Sequence, residues 1–136
     1  MDEKAKLISE ETFRVDSKHL DVEWEVQAQR AFEIGRYAAE ARFALEDARR
    51  SLDLAQAEAS LAVRLNPGAY NLSKPTEASI AAVVTTLPSI QEKIEAVNKA
   101  RLDFEMVNQA VTAIENKKKA LESLTSLKQM NYYSAK

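Results

Sequence analysis

The stretch from Leu20 to Leu65 reads LDVEWEVQAQRAFEIGRYAAEARFALEDARRSLDLAQAEASLAVRL. It contains one glycine, Gly35, and no proline, so few of its residues oppose a helix. Alternate steps of four and three residues from Leu20 reach thirteen positions, and only one of them, Gln27, is polar. The twelve apolar positions, here called the seam, are Leu20, Trp24, Ala31, Ile34, Ala38, Ala41, Leu45, Ala48, Leu52, Ala55, Ala59 and Ala62. An apolar period of this kind, kept for six heptads, predicts one long α-helix with a continuous apolar side.

Such a helix is too long for a single short chain to cover. At 1.5 Å per residue it spans roughly 65 to 70 Å, far more than the width of a domain of this size. Seven of the seam residues are alanines, which let a neighbouring backbone come close. Six more apolar residues widen the face beyond the seam: Phe32, Ala39, Phe43, Leu54, Leu61 and Leu65. We therefore expect packing on both flanks, in part by other copies of the chain, with the seam as the candidate oligomer contact.

The composition is typical of an almost wholly helical protein. The 136 residues suffice for one domain and include only two glycines and three prolines. The absence of cysteine fits a reducing cytoplasm, and the charged N-terminus leads into no apolar signal segment. No apolar run approaches a membrane span, so no membrane partner is expected. With a net charge of −2, nucleic-acid binding would need a local basic patch or the summed patches of an oligomer.

Prolines and polar turns divide the chain. Asn66-Pro67-Gly68 is a strong turn signal, and Pro75 and Pro88 are each expected to open a helix. Asp16 or Ser17 is the expected N-cap of the long helix. The prediction is one helical domain over 1–136 with an N-terminal arm (1–16), a long helix (17–65), a loop (66–75), a short helix (76–87), a second long helix (88–130) and a tail (131–136). The predicted fold is all-α: a long antiparallel helical hairpin with a short connecting helix, oligomerising through coiled-coil-like packing.

The sequence offers little for catalysis. His19 is the single histidine, there is no cysteine, and no serine accompanies the histidine in a recognisable triad. Glycine-rich phosphate loops, metalloprotease motifs, EF-hand loops and di-iron helix motifs are all missing from the sequence. We therefore expect a protein that is not an enzyme and carries no metal or cofactor, with His19 as a cap or surface residue.

The C-terminal segment is locally basic. From Lys117 onward there are five lysines and one glutamate, a local charge of +4. The candidate DNA-contacting residues here are Lys117, Lys118, Lys119, Tyr132 and Tyr133. Lysines could follow the backbone of a single strand while the tyrosines stack on its bases. The alternative is that the lysines form a solvated face and the tyrosines dock into a neighbouring subunit.

A second basic feature lies at the exit of the long helix. Arg64 precedes a loop that contains Tyr70 and Lys74, and all three are candidate DNA-contacting residues. The simpler account is an arginine that meets the negative end of the helix dipole. In a ring of identical chains, one arginine and one lysine per subunit would become a continuous basic track.

The chain resembles the UvsY family of phage recombination mediators. VDSKHL at residues 15–20 leads into the long helix, which ends in LAVRL at residues 61–65. A tyrosine-containing loop, a short helix and a second long helix follow in the same order. The likeness implies a homo-oligomeric ring in the cytoplasm of a bacterial host that binds single-stranded DNA in recombination and repair. Its expected partners are other copies of itself, a RecA-like recombinase and a single-strand-binding protein.

The likeness bears on particular residues of the helix end. The family's DNA-contacting stretch is Leu-Lys-Ala-Arg-Leu, whose arginine matches Arg64, whereas its lysine position is occupied by Ala62. Lys74 is then a candidate to replace that lysine. Two other functions stay open from the residues alone. One is a structural or scaffolding coiled-coil oligomer without nucleic-acid binding, and the other is a helical adaptor whose apolar face accepts a helix of another protein.

Overall fold

The computed structural model describes residues 2–130, which are mainly helical, with no strand among them. The prediction of an all-α protein is confirmed. The elements are α1 (Glu3–Leu7), α2 (Glu10–Phe13), α3 (Leu20–Leu65), a 3₁₀ turn (Pro67–Tyr70), α4 (Glu77–Thr86) and α5 (Pro88–Gln129). None of the described helices combines the length and the apolar character that crossing a membrane requires.

Residues 2–13 form two short helices, not the extended arm that the sequence predicts. The Asp2 carboxylate accepts the amide of Ala5 at 2.6 Å and caps α1. The Thr12 hydroxyl donates to the Lys6 carbonyl at 3.1 Å, which ties α2 to α1. Leu7, Ile8 and Phe13 pack against a buried cluster around Ile34 of α3. The segment is therefore helical because its few apolar residues find a long helix on which to pack.

The long helix begins at Leu20, three residues later than the predicted start at 17. The expected cap, Asp16, serves the preceding turn instead: its carboxylate accepts the backbone amide of Lys18 at 3.0 Å and contacts His19 Nδ1 at 2.7 Å. His19 is exposed at the helix start.

The described residues form two compact units. The first contains residues 2–41 and 104–130, and the second contains residues 42–103. In the first unit, α3 packs on α5: Ile34 lies with Ala110 and Ile114, and Ala38 and Ala41 lie with Val107. The Trp24 indole also donates to the Thr125 hydroxyl at 2.9 Å. Gln27, the one polar step of the seam period, is buried and donates its Nε2 to the Ile114 carbonyl at 3.1 Å.

The second unit has one core cluster, which joins the end of α3 to α4 and the start of α5. Its buried members are Val63, Ile80, Val84 and Ile90. The helix α4 begins after Pro75, at Glu77, because Thr76 and Ser79 form a reciprocal capping box. Leu87 is extended, as a residue before proline prefers, and Pro88 then starts α5.

The seam is covered by the chain itself for most of its length. Leu20, Ile34, Ala38, Ala41 and Leu45 are buried. Six more are half-buried, namely Trp24, Ala31, Ala48, Leu52, Ala55 and Ala59. Ala62 is exposed, and Val63 is buried in its place. A straight α-helix drifts by about 20° per heptad against a strict seven-residue repeat, so the buried side has moved on by one residue at this end.

Candidate nucleic-acid interface

Arg64 lies in the last turn of α3 and is held by an acid. Its Nη2 donates to the Glu77 carboxylate at 2.6 Å, and both side chains are substantially exposed. This hydrogen bond, together with the charge of the partner, raises the pKa of the Arg64 guanidinium and lowers the pKa of the Glu77 carboxyl. Glu77 is the first residue of α4. The pair therefore joins the C-terminal end of one helix to the N-terminal end of the next.

A tight turn brings these two helix ends together. The 3₁₀ turn closes with hydrogen bonds from Asn71 N to the Gly68 carbonyl at 3.2 Å and from Leu72 N to the Pro67 carbonyl at 3.0 Å. Asn71 adopts a left-handed backbone, with φ 62°, which asparagine tolerates better than most residues. The sequence signal Asn-Pro-Gly locates the turn, but it does not reveal that Glu77 will meet Arg64.

The two candidate residues of the loop, Tyr70 and Lys74, differ in solvent exposure. Tyr70 is half-buried and packs against the core cluster of the second unit. Part of its side chain is therefore not accessible to a base. Lys74 is exposed and forms no ion pair with any described residue. Of the three candidates at this end of α3, Lys74 is the one whose charge has no ion pair within residues 2–130.

Lys117 is not the exposed cation that the sequence predicts. Only 1% of its side chain is exposed, its Nζ lies 3.0 Å from Glu23 Oε2, and it donates to the Thr12 carbonyl at 2.7 Å. Glu23 Oε2 also accepts the amide of Asp16 at 3.2 Å. A buried ammonium with two partners inside the chain cannot reach a phosphate, so Lys117 leaves the set of candidate contacts.

A different spacing would have identified the buried lysine. Successive residues of a helix point about 100° apart, so three consecutive lysines cannot share one face. Ile114, Lys117 and Leu121 are three and four residues apart, and all three are buried. The position of Lys117 on the apolar stripe of α5 was thus readable from the sequence.

The rest of the predicted basic segment is only partly described. Lys118 and Lys119 are exposed on α5, and neither forms an ion pair with a described residue. Tyr132 and Tyr133 lie outside the described residues. The pairing of lysines with tyrosines therefore stays a prediction.

A further groove in the described part of the chain is mixed in charge. An open groove of about 760 Å³ in the first unit is lined by Lys6, Ser9, Glu10, Glu11, Thr12, Arg14 and Arg30. Its cations and acids are interspersed, so it offers no concentrated positive charge. Within residues 2–130 no group of three or more metal-binding side chains converges.

Comparison of the chain with protein-family models, with curated proteins and with solved structures finds no match in any of the three.

Proposed function

We propose that the protein is a homo-oligomeric recombination mediator of the phage type. In this proposal it is a binding protein and not an enzyme, it binds single-stranded DNA in the host cytoplasm, and it promotes the loading of a RecA-like recombinase on strands covered by single-strand-binding protein. The arms of an antiparallel hairpin would be α3 and α5, with α4 at the bend, and copies of the hairpin would close into a ring. The order of α3, a tyrosine-containing turn, α4 and α5 supports this, because the likeness to the UvsY family rests on that order.

The observation that carries the proposal is the Arg64–Glu77 pair, with the exposed Lys74 three residues before Glu77 in the chain. A guanidinium that already holds a carboxylate at 2.6 Å presents the donors that a phosphate also needs. Binding of a strand would then exchange the Glu77 carboxylate for a phosphate at Arg64, while Lys74 adds a second charge. One such site per subunit is weak, and a ring would combine many sites on one strand.

The test is fluorescence anisotropy of a labelled single-stranded oligonucleotide at low and near-physiological salt, with duplex DNA as the control. Single-strand-preferring binding that weakens as salt rises is expected. Arg64→Ala should lower the slope of log K against log salt by about 0.7 for each phosphate that the variant no longer neutralises. Glu77→Gln should strengthen binding because it frees the guanidinium. Arg49→Ala, which removes an exposed arginine elsewhere on α3, is the matched control.

Two results would contradict the DNA-binding proposal. One is no binding at low salt by a folded, oligomeric protein. The other is binding that Arg64→Ala and Arg49→Ala change equally, which would remove the role of Arg64.

A specific observation favours a second candidate function, a structural or scaffolding oligomer without nucleic-acid binding. Two of the candidate cations are occupied by acids of the same chain: Arg64 by Glu77 and Lys117 by Glu23. With a net charge of −2, the chain as a whole does not attract phosphates. An oligomer that does not bind DNA at low salt would support this function, whereas a monomer at all concentrations would support a helical adaptor.

A further inference from the structure

The second unit leaves large apolar side chains of α3 in solvent. Phe43 is 67% exposed, Leu54 60%, Leu61 60% and Leu65 85%. These four residues are called the outer stripe below. Phe43, Leu54 and Leu65 are eleven residues apart, and the same interval separates Phe32 from Phe43 in the sequence. Eleven residues make three turns of a nearly straight helix, so an eleven-residue repeat stays on one side of it.

The outer stripe lies on the side of α3 that faces away from the core of its unit. Phe43 and Leu45 are two residues apart, as are Leu52 and Leu54, and each step of two turns about 200° around the helix. Leu45 is buried, and Leu52 packs against the core cluster. The chain's own helices therefore cover the seam side and leave the outer stripe open. Single exposed apolar residues are ordinary on protein surfaces, whereas four large ones on the same side of one helix suggest a contact surface.

The polar residues between Phe43 and Leu54 indicate which partner fits. Asp47 follows Phe43 by four residues, and Arg50 precedes Leu54 by four residues. Both are exposed, and Arg50 Nη1 lies 3.8 Å from Asp47 Oδ1. The order apolar, acid, base, apolar is thus symmetric about the midpoint of residues 48 and 49. Reversing the helix exchanges apolar with apolar and acid with base.

We propose that a second copy of this chain docks antiparallel on the outer stripe. Phe43 of each copy then packs on Leu54 of the other, and Asp47 of each faces Arg50 of the other. A parallel arrangement in register would set Asp47 against Asp47 and Arg50 against Arg50, which repel. The antiparallel contact is isologous, so it joins subunits in pairs and gives assemblies with an even number of subunits. This inference rests on the self-association in the proposed function and is independent of DNA binding.

The absence of cysteine from the chain allows a direct test of the direction. Phe43→Cys and Leu54→Cys proteins are prepared separately and oxidised alone and as a mixture. In the antiparallel contact only the mixture forms covalent dimers, because residue 43 meets residue 54 of the other copy. Two copies of residue 43 would lie about 16 Å apart along the axis, beyond the reach of a disulfide. Cross-linking of each variant alone, with none specific to the mixture, would overturn the proposal.

Charge exchange provides a second test, read as mass in solution by sedimentation. Asp47→Arg and Arg50→Asp should each weaken self-association about tenfold, because two attractive contacts become repulsive in the pair. A mixture of the two variants should restore it, since both contacts between the two copies are again between opposite charges. Ala44→Glu, at an exposed position off the outer stripe, is the control that should leave the mass unchanged.

The outcomes separate the two proposals. A wild-type protein that is monomeric at all concentrations overturns both the self-association and this contact. An oligomer whose mass is unchanged by Phe43→Glu and by the charge variants overturns this contact alone, as does an assembly with an odd number of subunits. A wild-type protein that has the mass of a dimer or a larger even-numbered assembly but does not bind DNA contradicts only the DNA-binding proposal.

Discussion

Lys117 was expected to be an exposed cation of a basic segment, but its side chain is buried. Its ammonium is enclosed between Glu23 and the Thr12 carbonyl. Removing Lys117 takes away the shorter of the two ion pairs of the buried Glu23 carboxylate, which keeps only Arg30 Nη1 at 3.9 Å. We expect Lys117→Ala to lower the free energy of unfolding by about 3 to 5 kcal/mol, measured by urea denaturation.

The adjacent lysine supplies the control for this prediction. Lys118→Ala, at an exposed position on the same turn, should change the free energy of unfolding by no more than about 0.5 kcal/mol. Replacing both partners by apolar residues of similar size, in Glu23→Leu with Lys117→Met, should recover most of the lost stability. Equal effects of Lys117→Ala and Lys118→Ala would mean that the buried pair does not stabilise the first unit.

Asp16 gives a prediction about pH. The hydrogen bond with the His19 side chain, and then that from the Lys18 amide, lower the pKa of the Asp16 carboxyl. Because the pKa of the folded state is the lower one, the interaction stabilises the turn at pH values above the ordinary carboxyl pKa. That stabilisation is lost as the pH falls through the lowered value. His19→Ala should therefore raise the pKa of Asp16, as followed by NMR of its carboxyl carbon.

Lys18→Ala is the matched variant for this titration. It keeps the backbone amide that donates to the Asp16 carboxylate and removes only a side chain with a minor influence. The pKa of Asp16 should move less in Lys18→Ala than in His19→Ala. A larger movement in Lys18→Ala would contradict the assigned cause.

At the scale of the element, the buried position at the end of α3 is shifted by one residue from the one that a strict seven-residue repeat predicts. Val63 is fully buried in the core of the second unit, whereas Ala62 is exposed. Val63→Ala should lower the free energy of unfolding by about 2 kcal/mol, through the reduced apolar burial and the cavity left behind. Ala62→Ser should change it by no more than about 0.5 kcal/mol. Urea denaturation of the two variants, one residue apart, measures the difference.

The same elements show how far the sequence could be interpreted. The long apolar period in α3 and the prolines at 67, 75 and 88 are local signals, and they were sufficient to predict an all-α protein with two long helices. The apolar period of the seam did not indicate which helix would pack on it. Whether α5 or another copy packs on Ala38 and Ala41 depends on how distant parts of the chain meet, which no local pattern contains.

The candidate site was less predictable because its pairings join residues far apart in the sequence. Arg64 meets Glu77 across a turn, and Lys117 meets Glu23 and Thr12 from the other end of the chain. The sequence shows where each cation is, but which acid it pairs with depends on the fold. A charge count along the sequence therefore overstates the positive charge that is available to a ligand.

At the scale of the whole molecule, self-association should be visible in thermal stability. A partner that binds only the folded state stabilises it by mass action, so Tm should rise with protein concentration. Replacing an outer-stripe residue, as in Phe43→Glu, should remove this dependence, while Ala44→Glu should keep it. Scanning calorimetry at a series of concentrations measures the effect. A Tm that is independent of concentration in the wild-type protein would contradict self-association.

The division into two units also sets the order in which the chain can fold while it is being made. The second unit is continuous in sequence, whereas the first needs residues 2–41 and residues 104–130 together. At about 5 to 20 residues per second, a ribosome needs roughly 3 to 13 s to pass from residue 41 to residue 104. During that time α5 has not been made, so the apolar cluster of the first unit lacks its α5 members. The residues left without them are Leu7, Ile8, Phe13 and Ile34. During synthesis, the first unit to begin is thus the last that can be completed.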